Sequence, residues 1–190
     1  VCNLLFFTLI SLKFSCMRKL TNDELNRKSI EEFRSSEKSP FIIVLDNVRS
    51  LNNVGSIFRT ADAFLVEAVW LCGITATPPH REIHKTALGA TESVAWRYFA
   101  DTVEAVKELK ESGFVIVSVE QAEGSVSLDS FVPETGKKYA LVFGHEIRGV
   151  AGEVVNLSDA CIEIPQYGTK HSFNVAVSAG IVLWELAGRT

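Results

Sequence analysis

Three short stretches hold the residues whose types could do chemistry: Asn52-Asn53-Val54-Gly55-Ser56-Ile57-Phe58-Arg59, Phe143-Gly144-His145-Glu146, and Gly168-Thr169-Lys170-His171-Ser172-Phe173-Asn174. Amides, a guanidinium, a carboxylate and a hydroxyl position ligands through directed hydrogen bonds. Taken singly, each also has a plainer reading. Asn53 can cap the helix that starts beside it, and Ser172 can cap another. Arg59 lies six residues past Asn53, on roughly the opposite side of a helix axis, and reads as a solvated or ion-paired arginine. Glu146 reads as a surface carboxylate. Gly144 ends a buried strand, where a missing Cβ lets main-chain groups face a ligand. Neither G-x-x-x-x-G-K-[ST] nor G-x-G-x-x-G is present.

The elements that must position these residues alternate between strand and helix. Thr21 to Glu24 is a T-x-x-E box, which predicts a short helix to about Arg34, followed by a polar linker to Pro40. Phe41 to Leu45 is a continuous apolar run, as in a strand buried on both faces. Val54, Ile57, Phe58, Ala61, Phe64 and Leu65 recur at helical spacing. Further strands are expected at Ala68–Cys72, Phe114–Val119, Tyr139–Phe143 and Cys161–Ile164. Further helices are expected at Glu82–Gly89, Asp101–Ser112, Gly149–Leu157 and Ser172–Ala187. This order argues for an α/β fold with a mostly parallel sheet. Ligands of such sheets bind beyond the carboxyl ends of the strands, which singles out the loops Asp46–Asn53, Gly144–Arg148 and Pro165–His171. The last helix is apolar nearly all round, which suggests a subunit interface as well as a core contact.

The chain has 190 residues, 47% apolar and 22% charged. That suits one ordinary domain and excludes a disordered composition. The net charge of −4 is not the usual mark of a nucleic-acid binder, although a local basic patch is still compatible with it. Cys2, Cys16, Cys72 and Cys161 form no C-x-x-C pair, which argues against a disulfide framework or a cysteine zinc site. Val1 to Cys16 is apolar but too short to span a membrane, and no charged region precedes it as in a secretory signal. Met17 is the only methionine. The expectation is an upstream extension with translation starting at Met17, the rival being a membrane-targeting or partner-binding segment.

In this order, NxGxxxRTADA, LVFGHE and IEIP-x-x-G-x-x-x-SFNV resemble the three motifs of the SpoU-type RNA 2′-O-ribose methyltransferases of the SPOUT superfamily. The match runs from about Phe41 to Ala187. It implies a methyltransferase domain over residues 41–190, preceded by an N-terminal helix and linker over 17–40 and the extension over 1–16. It also implies helices on both faces of the sheet, a deep C-terminal trefoil knot and a cytoplasmic homodimer with its active site at or near the interface. The implied cofactor is S-adenosylmethionine, with no metal, and the implied partner is tRNA or rRNA, with no membrane.

Matched residue by residue, the catalytic set is Asn53, Arg59, Glu146, Ser172 and Asn174. The cofactor would be held largely by main-chain groups, including those of Val142, Gly144, Ile164 and Phe173. His145 stands where the family usually has asparagine, and Phe173 where leucine is common. The resemblance gives Arg59 the role of proton acceptor; the chemistry of a guanidinium offers a second role, anchor for a nucleotide phosphate or developing alkoxide. In the second role Asn53, Glu146 and Ser172 would fix its fork. Arginine is almost never neutral at pH 7, which favours the anchor. Arg49, Arg81, His84, Lys85, Arg148 and Lys170 are candidates for a phosphate-binding rim, against scattered solubilising charge. An idle RNA-binding module and a knotted RNA base methyltransferase are the alternatives to be separated.

Overall fold

The structure is a computed structural model describing residues 17–189. The expectations for residues 1–16, Cys2 and Cys16 included, lie outside the described residues. The apolar run at Phe41 forms the body of strand β1 (Ser39–Asp46). Its side chains alternate between two buried clusters: Phe41, Ile43 and Leu45 enter one, Ile42 and Val44 the other. Such a strand needs both faces covered, and its neighbours supply that cover. β2 (Val66–Cys72), β3 (Ala95–Phe99), β4 (Phe114–Val119), β5 (Val126–Ser127), β6 (Lys138–Phe143) and β7 (Ala160–Glu163) complete the set. Among the described residues the strands form one seven-stranded sheet, in the order β3-β2-β1-β6-β4-β7-β5. Every pairing in it is parallel.

Helices lie on both faces. One face carries α1 (Ile30–Ser35), α2 (Leu51–Ala63), α3 (Arg81–Ala87), α4 (Ala90–Ser93) and α7 (Val175–Ala187). The other carries α5 (Thr102–Glu111) and α6 (Gly152–Leu157). α2 buries Val54, Ile57, Phe58 and Ala61, the stripe expected from its spacing. Truncating the fully buried Phe58 to alanine would destabilise the fold by about 3–5 kcal/mol. All strands run the same way, so the loops after β1, β6, β4 and β7 gather at one sheet edge.

Several boundaries differ from expectation. The helix predicted from Thr21 to Arg34 is a 3-10 turn at Asp23–Leu25 followed by α1. Glu24 does accept from the Thr21 N–H at 2.8 Å, but it also pairs with Arg18. Asn26 then turns left-handed at φ 46° and ends the turn. The complete capping box is Ser29 with Glu32, three residues inside the next segment. α2 is capped by Ser50, whose hydroxyl accepts from the Asn53 N–H, so Asn53 lies within the helix and does not cap it. α7 is capped by Asn174, not Ser172, through its carboxamide oxygen and the N–H groups of Ala176 and Val177. α6 starts at Gly152, three residues later than the Gly149 start that its sequence predicts. β3, β5 and α4 were not anticipated. β3 is an edge strand with an exposed or half-exposed side chain at every position, so it shows no buried alternation.

Candidate active site

Glu146 ties two of the loops together. Its Oε1 accepts from the Ser50 N–H at 2.9 Å and from Asn53 Nδ2 at 3.0 Å. Its Oε2 accepts from the Arg49 N–H at 3.1 Å. Asn53 Oδ1 in turn accepts from Asn174 Nδ2 at 3.1 Å. Asn174 Oδ1 takes the first N–H groups of α7. The relay has one possible polarity. A carboxylate can only accept and a helix N-terminus can only donate, so both amides between them are oriented.

These donors decide the charge of Glu146. Burial pushes its carboxyl up, but the main-chain N–H groups of Glu146, Arg49 and Ser50 and the Asn53 amide outweigh burial. The net result lies below the ordinary carboxylate range. Glu146 is therefore an ionised clamp at neutral pH and not a store for a proton.

Two more carboxylates hold the following turn. Asp46, almost fully buried at the end of β1, accepts from the Ala151 N–H at 2.7 Å and from Thr102 Oγ1 at 2.6 Å. Glu120, just past β4, accepts from the Val150 N–H at 2.9 Å. Between them, His145 and Gly149 exchange two main-chain hydrogen bonds. Gly144 passes so close that a Cβ there would lie 2.0 Å from the Gly149 carbonyl carbon. No other residue type fits that position.

Beside this frame opens a cavity of about 390 Å³, walled by Gly144, Glu120, Ile164, Ser172 and Phe173, with Glu146 on its margin. The volume falls within the range of small-molecule sites. Among the described residues, the main-chain N–H groups from Gln166 to Phe173 make no hydrogen bond within the protein. They are free to meet a ligand or water.

A family model described as the SpoU rRNA Methylase family matches residues 40–184. This chain belongs to that family. Among its relatives is a tRNA (guanosine(18)-2′-O)-methyltransferase of Thermus thermophilus, 32% identical over 169 residues, covering 89% of this chain and 84% of the relative. Another is the 23S rRNA (guanosine-2′-O-)-methyltransferase RlmB of Vibrio vulnificus, 30% identical, covering 85% of this chain and 64% of that one. Among solved structures, an AdoMet-bound rRNA methyltransferase from Sinorhizobium meliloti aligns with a TM-score of 0.74 at 30% identity. That alignment covers 83% of this chain and 59% of the other. The A. aeolicus TrmH/SpoU tRNA modifying enzyme aligns with the same TM-score at 29% identity, covering 84% and 80%. This chain thus spans about three-fifths of the Vibrio and Sinorhizobium proteins.

Within this family member, the expected site residues fall into three groups. Asn53, Glu146 and Asn174 form the relay, and Gly144, Ile164, Ser172 and Phe173 line the cavity. Val142 does neither. It is fully buried in the sheet, with its side chain in the cluster under α5 and α6. Arg59 stands apart, exposed on the far side of α2. It lines a separate groove with Arg27, Lys28, Asp62 and Leu88. Within one protomer, Asn53, Glu146 and Ser172 therefore do not fix its fork. Asp46 and Glu120 were missed. Glu120 had a legible signal, because a strand expected to end at Val119 delivers the next residue to the same sheet edge.

Proposed function

We propose that this protein is an S-adenosylmethionine-dependent RNA 2′-O-ribose methyltransferase acting on tRNA or rRNA. The observation that carries the reading is the juxtaposition of the Glu146–Asn53–Asn174 relay with the cavity at Gly144 and Phe173. The names of the relatives point to the same activity. The cavity fits the cofactor. Ile164 and Phe173 offer apolar walls for a purine, Gly144 lets the turn at Gly149 pack close behind the cavity wall, and unpaired N–H groups border the space. When bound, S-adenosylmethionine supplies an electrophilic methyl group on a sulfonium leaving group.

The protein's own task is then to position the ribose hydroxyl, whose proton leaves to solvent as the methyl group is transferred. Glu146 holds the loop after β1 by its N–H groups and fixes Asn53. Ser172 lines the cavity and offers a hydroxyl to a ligand there. Arg59 serves this site from a second copy of the chain, because in its own protomer it faces another groove. A guanidinium there would anchor a phosphate or a developing alkoxide. The homodimer this requires is supported by α7. Val177 is 50% exposed and Trp184 75% exposed on an otherwise core-packed helix, seven residues apart on one face.

Arg49, Arg81, His84, Lys85, Arg148 and Lys170 are all exposed, and five of them make no ion pair among the described residues. Lys85 pairs with Glu82. They are proposed as the rim that meets RNA phosphates. The same reading takes the segment from β6 to α7 as knotted. Its support is that Gln121, past β4, donates to the His171 carbonyl, after which α7 returns to the sheet face that carries α2. Among the described residues no helix is long and apolar enough to cross a membrane, and the cytoplasm is the proposed location.

Incubation with S-adenosylmethionine and separate tRNA and rRNA pools, followed by nucleoside analysis, tests the reading. A 2′-O-methylnucleoside is expected. A methylated base, or no transfer to either pool, would overturn it.

A further inference from the structure

Glu120 is a carboxylate in the wall of the cavity that no motif accounts for. It follows β4, which lies between β6 and β7 in the sheet. Its side chain therefore stands between the loop of Gly144 and the loop of Ile164, beside one of the apolar walls assigned to the purine. Its two oxygens are only half used. Oε2 accepts from the Val150 N–H at 2.9 Å and Oε1 from the Gln121 N–H at 2.8 Å. An ionised carboxylate has about four acceptor positions, so each oxygen keeps room for one more donor, and Glu120 is among the residues that line the cavity.

The turn is shaped around this side chain. Gly149 has φ +67°, and a Cβ there would lie 2.0 Å from Glu120 Oε2. A fixed pair of adjacent acceptors matches two adjacent donors on a ligand. In a nucleoside these are the 2′- and 3′-hydroxyls, carried on the sugar bonded directly to the base. Negative charge at this point also turns away the carboxylate end of the donor and any 5′-phosphorylated nucleotide.

We infer that Glu120 binds the ribose diol of the methyl donor. The inference rests on the methyltransferase reading of the cavity. It makes Glu120 a residue that selects the cofactor, and no proton moves through it.

Calorimetric titration with S-adenosylhomocysteine and its 2′-deoxy and 3′-deoxy analogues tests this without any turnover. The parent protein should prefer the full diol by about 10–100-fold, the range for hydrogen bonds to a charged group. Glu120→Gln keeps the shape and one acceptor for Val150. It should weaken S-adenosylhomocysteine by a similar factor and bind all three ligands about equally. A purely structural role would weaken all three together and leave the preference intact, which would overturn the inference. Equal binding of the three by the parent would overturn it too, whether or not the variant folds. No binding of S-adenosylhomocysteine by the parent would instead overturn the methyltransferase reading, and the inference with it.

Discussion

Asn174 donates its Nδ2 to the Oδ1 of Asn53 at 3.1 Å, across 121 residues of chain. The contact joins the start of α7 to the first turns of α2. It places the loop after β7 against the loop after β1, with Glu146 from the loop after β6 at the other end of the relay.

The polarity of that relay makes two isosteric changes unequal. Asn53→Asp removes the donor to Glu146 and sets a second carboxylate 3.0 Å from it. We expect a loss of about 1–3 kcal/mol in urea unfolding, and at least a tenfold loss of methyl transfer. Asn174→Asp keeps the oxygen that caps α7, where negative charge is favourable, and gives up only the donor to Asn53. Its stability should stay within about 1 kcal/mol of the parent. Equal effects of the two would contradict the assigned amide orientations.

Glu146 should leave a mark on acid stability. Its folded carboxyl is held below the ordinary range, whereas an unfolded glutamate titrates near pH 4.3. The stabilisation is fully present above that value and is lost as pH falls through the lower folded value. Urea midpoints measured from pH 6 to pH 3 should fall less steeply for Glu146→Gln than for the parent. An unchanged slope would mean that the clamp does not hold a charge.

Gly144→Ala would drive a Cβ into the main chain of Gly149 and Val150. The pairing of His145 with Gly149 would have to open, and the cavity wall with it. The expected result is a folded protein with at least tenfold weaker binding of S-adenosylhomocysteine in calorimetry. Parent-like affinity would show that this wall is not part of the cofactor site.

Arg59 and Trp184 test the dimer from two sides. Arg59 is exposed, so Arg59→Lys should leave the unfolding midpoint unchanged. It should remove most of the methyl transfer, because an ammonium cannot reproduce the planar fork. Trp184→Glu should give a folded monomer by light scattering, with transfer lost. Mixed dimers of Arg59→Ala and Glu146→Ala chains should regain part of the activity each lacks alone. Full activity in a Trp184→Glu monomer would end the proposal of a shared site.

The sheet's centre was legible because its signal is local. A strand covered on both faces must be apolar at every position, as Phe41 to Leu45 and Tyr139 to Phe143 are. β3 was illegible for the converse reason: at an edge, Trp96, Arg97 and Tyr98 need not alternate. The caps were misplaced by two or three residues, since which oxygen reaches which N–H depends on loop geometry. Ser50 and Asn174 won over Asn53 and Ser172 on that ground.

By itself, the amino-acid sequence determined the α/β class, the three loops and the residue types brought to them, because periodicity and glycine-marked turns are properties of short segments. Only the tertiary structure decided which of those residues meet. Asn53 and Asn174 touch through the stacking of two helices on one sheet face. Glu120 joins the cavity because β4 is seated between β6 and β7. Arg59, only six residues from Asn53, is carried by the turn of the same helix into a different groove.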